Sequence, residues 1–84
     1  MKFRAEIDVM PLKELLDPQG KAVMLGLKNL GIQSLDVRIG KHISIEIEAE
    51  SKEEANEKVQ TACQKLLANP IMEGFSYELI EISI

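Results

Sequence analysis

Apolar and polar residues alternate strictly where the chain begins. Phe3, Ala5, Ile7 and Val9 are apolar, with Arg4, Glu6 and Asp8 between them. A period of two is the signature of a strand buried on one face. Leu35, Val37 and Ile39 repeat the pattern around Asp36 and Arg38; Ile43, Ile45, Ile47 and Ala49 repeat it around Ser44, Glu46 and Glu48. Gly40, Lys41 and His42 separate those two runs, which predicts a tight hairpin turn. A fourth strand opens with Phe75, Tyr77 and Leu79, and then its apolar phase switches to Ile80, Ile82 and Ile84. Either a bulge re-aims that strand or both of its faces are covered.

Helical spacing fills the gaps. Asp17 suits an N-cap and Pro18 the first helical position, where its missing N–H costs nothing. Val23, Leu27 and Leu30 follow at i, i+4, i+7, and Gly31 can close the helix in a left-handed conformation. A second helix opens at Ser51-Lys52-Glu53-Glu54, a capping box in which Ser51 and Glu54 serve each other's backbone donors. Its predicted stripe is Ala55, Val59, Ala62 and Leu66, widened by Cys63 and Leu67. Pro70 biases Asn69 away from helical angles and stops the run.

The order is β-α-β-β-α-β, which predicts a ferredoxin-like α+β fold in a single domain over residues 1–84. One antiparallel four-stranded sheet, in order 4-1-3-2, would carry both helices on one face. Three connections then meet at one end: that from strand 1 to helix 1, the hairpin, and that from helix 2 to strand 4. The rim so formed holds Asp17, Pro18, Gln19 and Gly20, then Arg38, Gly40 and Lys41, then Asn69, Pro70 and Glu73. Cap and turn chemistry asks for Asp17, Pro18, Asn69 and Pro70. It does not ask for Gln19, Lys41 or Glu73, so these are candidates for contact with a partner. The apolar end of strand 4, Ile80, Ile82 and Ile84, is the candidate homo-oligomer interface, because an apolar strand end on a wet face marks a contact.

Composition narrows the function. A domain of 84 residues lies near the lower limit for folding alone, and such domains gain from association. With 45% hydrophobic and 29% charged residues the chain is neither disordered nor membrane-spanning. The alternating start is not that of a signal peptide, and a lone cysteine fits a reducing cytoplasm. A net charge of −4 and three aromatics, Phe3, Phe75 and Tyr77, argue against nucleic acid.

Nothing in the inventory assembles a catalytic centre. Cys63 falls on an apolar stripe and reads as a small buried hydrophobe. His42 stands in a turn with no second His or Cys near it in sequence, and reads as solvated surface. Glu46, Glu48, Glu50, Glu53 and Glu54 read as a solvated strand face and an acidic helix start rather than a metal site. Gly20 and Gly40 belong to no phosphate-binding pattern. The expectation is no catalytic, cofactor-binding or metal-ligating residue in this chain.

Three stretches carry a resemblance: "LLDPQGKAV" after the first strand, "VRIGKHI" at the predicted hairpin and "CQKLLANPIMEGF" at the second corner. In order and spacing, over essentially the whole chain, they resemble the PurS subunit family of phosphoribosylformylglycinamidine synthase. Met10-Pro11 at the end of strand 1 is a minor departure. The resemblance implies a small non-catalytic component of purine biosynthesis, without activity alone, in an ATP-dependent, glutamine-hydrolysing ligase. Its implied partners are a large synthetase subunit, which would hold ATP and Mg, and a glutaminase subunit that supplies ammonia. A homodimer or dimer of dimers is expected. An ACT-like regulatory module shares the element order and is the alternative. An acylphosphatase-like enzyme is disfavoured, because "MPLKELL" lacks the arginine and glycines of a phosphate cradle.

Overall fold

The computed structural model describes residues 1–82. Its elements run β1 (Lys2–Pro11), α1 (Pro18–Asn29), β2 (Lys41–Glu48), α2 (Lys52–Ala62) and β3 (Glu73–Ile82), with a π-helical turn over Cys63–Leu67 prolonging α2. The sheet has three antiparallel strands in order β2-β1-β3. This corrects the expected four-stranded sheet. Residues 35–39 form no strand, and Gly40 to His42 form no hairpin: Lys41 and His42 already belong to β2, opposite Val9 and Asp8. Leu35 lies at a bend and is 99% exposed, so the alternation of Leu35, Val37 and Ile39 has no strand neighbour among the described residues.

β1 is central because its odd side chains can be covered from both sides. Phe3, Ala5, Ile7 and Val9 are buried, flanked by Ile43, Ile45 and Ile47 of β2 and by Phe75, Tyr77 and Leu79 of β3. α2 lies over this face through Ala55, Val59 and Cys63, all fully buried. Ser51 Oγ accepts the Glu54 N–H at 3.1 Å. The Glu54 carboxylate turns to Lys58 Nζ, 3.1 Å away, so the cap is made from the serine side. The π turn adds a residue: the Ala68 N–H donates to the Cys63 carbonyl, five positions back. That wider turn returns Ala68 to the core above Cys63, where an α-helical turn would point it away. The buried stripe is therefore Ala55, Val59, Cys63 and Ala68; Ala62 is half-buried and Leu66 is 79% exposed, unlike the predicted stripe.

α1 does not share that face, contrary to the expectation of two helices on one side. Gly20 is its buried residue, and α1 makes at most marginal contact with the sheet and with α2. Its C-terminus is well specified nonetheless. Gly31, at φ 83, ends it in a Schellman motif, with Gly31 N–H donating to Lys28 O and Ile32 N–H to Leu27 O. Helix and following segment form an arm that lengthens the molecule to 51 × 29 × 15 Å. The radius of gyration is 16.5 Å, against about 12 Å for a compact chain of this length.

No bulge accompanies the phase switch in β3, whose pairing with β1 runs unbroken from Pro11–Glu73 to Lys2–Ile82. Ile80 and Ile82 simply stand on the opposite face from Leu79, across from Arg4 and Lys2, and are half-exposed. Ile84 lies outside the described residues.

Candidate functional site

The end of the sheet where β1 finishes and β2 and β3 begin gathers the sequence-predicted rim. Asp17 organises its first corner with one carboxylate. Oδ1 accepts the Gly20 N–H at 3.0 Å and caps α1, while Oδ2 accepts the Ile39 N–H at 2.9 Å and ties down the far leg of the arm. Those two hydrogen bonds, the Gly20 one first, hold the Asp17 carboxyl below its ordinary range, and the Arg38 charge adds to the effect. Arg38 Nη2 donates to the carbonyls of Pro11 and Leu12, both at 2.7 Å, and Nε lies 3.9 Å from Asp17 Oδ2. Gly20 sits against the Val37 backbone, where a Cβ would collide with the carbonyl oxygen; Gly40 meets Val9 and Met10 in the same way. Asp17, Gly20, Arg38 and Gly40 thus build the base of the arm.

The second corner is tied by Asn69. Its Oδ1 accepts the Ile71 N–H at 3.0 Å, and its carbonyl accepts the N–H groups of Met72 and Glu73. The Asn69 N–H in turn donates to Glu73 Oε1 at 2.8 Å. Glu73 therefore belongs to the turn, which corrects its expected independence of turn chemistry. The Leu12 N–H donates to Met72 O at 2.9 Å and joins the corners. Between them runs an open groove of about 490 Å³, lined by Leu16, Pro18, Gln19, Ile39, Asn69 and Glu73 among others. Leu16 and Met72 line it while 69% and 53% exposed, and Ile71, in the second corner, is 80% exposed. Lys41 projects from the start of β2 and Pro70 borders a smaller recess beside Cys63 and Phe75. Exposed apolar residues thus stand beside polar ones over a hydrogen-bonded floor, the mixed composition that interface patches have.

A second cluster lies on the open face of the sheet. His42 Nδ1 is 2.7 Å from Asp8 Oδ1 and Nε2 is 2.9 Å from Glu6 Oε2. Ionised carboxylates only accept, so both contacts are made as hydrogen bonds when both ring nitrogens donate, which favours the imidazolium form. The Asp8 hydrogen bond, then that of Glu6, raises the His42 pKa; hydrogen bonds from Ser44 and then His42 lower that of Glu6. Reading His42 as a turn residue missed this cluster. The signal was in the alternation: Glu6 and Asp8 share the polar face of one strand, His42 and Ser44 that of another. Only the pairing register brings them together. Cys63 lies where its stripe predicted, fully buried, and burial raises its thiol pKa. A buried thiol of raised pKa is a poor nucleophile.

Among the described residues, no group of His, Cys, Asp and Glu is arranged to hold a metal ion, and no helix is long and apolar enough to cross a membrane.

Comparison with known proteins places this arrangement. Residues 4–81 match the family model "PurS: Phosphoribosylformylglycinamidine (FGAM) synthase". A phosphoribosylformylglycinamidine synthase subunit PurS of Thermotoga maritima is 40% identical over 81 residues, covering 95% of this chain and 96% of the relative. The Thermus thermophilus PurS structure superposes with a TM-score of 0.85 at 42% identity, covering 99% of this chain and 100% of that one. A chain in the structure of PurLQS from Thermotoga maritima gives a TM-score of 0.88 at 36% identity, with 95% and 99% covered.

Proposed function

The chain belongs to the PurS family of phosphoribosylformylglycinamidine synthase, as a small subunit in purine biosynthesis, and we propose that its task there is to join the catalytic subunits rather than to catalyse. The observation that carries this reading is the rim: two internally hydrogen-bonded corners joined by the Leu12–Met72 backbone bond, with exposed apolar residues and, among the described residues, no reactive pair between them. A surface that must fit a partner gains from being built before the partner arrives, since less ordering is left for the moment of binding. The fold fixes the rim through Asp17, Arg38, Asn69 and Glu73 and leaves Gln19 and Lys41 exposed for contact. The occupants are a large synthetase subunit, which would hold ATP and Mg, and a glutaminase subunit, all in the cytoplasm. The chain itself is expected to work as a homodimer or a dimer of dimers.

Reconstitution tests the reading. Synthetase and glutaminase subunits mixed with this chain should form a complex that uses glutamine, and omitting the chain should abolish glutamine-dependent amidation while sparing amidation from ammonia. Equal glutamine-dependent rates with and without the chain would refute a joining role. Turnover by the isolated chain, lost in Cys63→Ala or His42→Ala, would refute a non-catalytic one.

A further inference from the structure

The β3 side of the sheet lacks the devices that usually protect an edge. β3 closes the sheet there, and no strand lies beyond it among the described residues. It runs for ten residues, Glu73–Ile82, without a proline, a lysine or a bulge. Natural edges of that length are blunted by such features, because every second residue turns an N–H and a C=O outward. In β3 those outward groups make no backbone hydrogen bond among the described residues. The side chains along the edge are only partly covered too. Phe75, Tyr77 and Leu79 pack on the core yet stay half-exposed, and the Phe75 and Tyr77 rings stack with centroids 6.4 Å apart. An apolar ledge thus runs beside unpaired backbone on the α2 side.

Charge restricts what can add to that edge. The strand carries Glu73, Glu78 and Glu81 and no basic residue. Glu78 stands directly across from Glu6 in the β1 register, an arrangement of like charges that weakens a sheet. Glu6 is answered by Ser44, His42 and Arg4. Glu78 and Glu81 are both exposed and enter no ion pair among the described residues. A second copy of the same edge would add its own glutamates to these. The charge pattern therefore works against self-pairing and selects a basic segment.

We infer that the β3 edge takes an extended basic segment of one of the catalytic subunits, paired to it as an added strand. The backbone of that segment bonds the outward N–H and C=O groups of β3. Its apolar side chains lie beside Phe75, Tyr77 and Leu79, and a Lys or Arg lies beside Glu78. This rests on the joining role read above and adds a second attachment to it. The rim occupies one end of the strands and the edge runs away from it along β3, so one chain has room for both contacts.

Amide hydrogen exchange of the full chain, read residue by residue, tests it. Alone, the β3 amides that face β1 should exchange slowly and those that face outward fast. With the synthetase and glutaminase subunits added, the outward amides between Phe75 and Ile82 should slow about tenfold or more. The double variant Glu78→Lys, Glu81→Lys should keep the wild-type melting curve, since both side chains are exposed. It should lose that protection and bind the subunits at least about tenfold more weakly, because a basic segment then meets like charge. Glu78→Gln should fall between the two, and the wild-type pattern decides alone if the double variant melts early. Binding that slows amides around Gln19 and Asn69 but leaves the β3 edge fast overturns this inference and leaves the joining role standing. If neither subunit binds, both fail. A double variant protected like the wild type overturns the charge complementarity and with it the basic segment. Outward amides already slow in the isolated chain, and quickened by dilution, show another copy on the edge and overturn it as well.

Discussion

At the scale of single residues, the positions that matter most are those where two constraints meet. Gly20 must be both the third residue of α1 and the surface against which the Val37 carbonyl rests. Neither backbone can yield without breaking the Asp17 hydrogen bonds, so Gly20→Ala should destabilise by about 2 kcal/mol, as overpacking does. For a domain of this size that lowers the melting temperature by about 10 °C, and an unchanged melting curve would show that the base of the arm is soft. His42 has its constraint in charge. Its pKa is raised above the ordinary 6.5, so its contribution is complete below 6.5 and disappears as pH rises through the raised value. Glu6 is lowered from 4.5, so its contribution is complete above 4.5 and disappears as pH falls through the lowered value. The pair therefore supports the sheet most between those two ordinary values. His42→Gln should lower the melting temperature there and make little difference at alkaline pH, a small effect weakened by salt because the cluster is exposed. The chain has one histidine, so proton NMR can follow it alone; a midpoint at or below 6.5 would contradict the doubly bonded geometry.

At the scale of elements, local chemistry wrote some features legibly and left others open. The cap at Asp17, the stop at Gly31, the start at Ser51 and the alternation of β1 depend on neighbours within a few residues, and each is in place. Residues 35–39 show where the signal ran out. Alternation specifies an extended backbone with one apolar face, but not that a neighbouring strand exists within the same chain. α1 failed the same way: Val23, Leu27 and Leu30 define a face without saying what meets it. The stripe of α2 was misjudged because periodicity assumes an even turn, and the π turn at Cys63–Leu67 breaks that assumption. The rim residues were found by topology although the hairpin used to place them is absent, because the ends of β1, β2 and β3 still coincide. Glu73 shows the cost of reading a turn from Asn-Pro alone. Its carboxylate accepts the Asn69 N–H, so Glu73→Ala should destabilise by about 1 kcal/mol. Glu73→Gln, which keeps an acceptor, should recover most of that loss. Equal stability of wild type and Glu73→Ala, measured by urea unfolding, would mean that backbone bonds alone hold the corner.

At the scale of the whole molecule, folding and docking must be separated before the rim can be tested. Asp17, Arg38, Asn69 and Glu73 are unsuitable probes, since each makes hydrogen bonds that shape the rim, and their removal would disturb both. Gln19 and Lys41 are suitable. Gln19 lies exposed in the first turn of α1 and lines the groove; Lys41 is exposed at the start of β2, where its backbone rather than its side chain holds the register. Changing both to Ala should cost the isolated chain little, within about 0.5 kcal/mol at each surface site. At an interface, truncating a desolvated polar or charged anchor costs about 2 kcal/mol or more, close to a thirtyfold loss of affinity. The double variant should therefore melt and self-associate like the wild type, yet bind the synthetase subunit more weakly in calorimetry. Its glutamine-dependent rate at limiting concentration should fall, and excess variant should restore it, because the defect lies in assembly. Ammonia-dependent amidation should fall less, since that route does not need the glutaminase to be held in place. Wild-type affinity and rate from the double variant would mean that the groove between the two corners is a by-product of two tight turns. The partner would then have to be sought on the acidic open face of the sheet, around Glu6, Asp8 and His42.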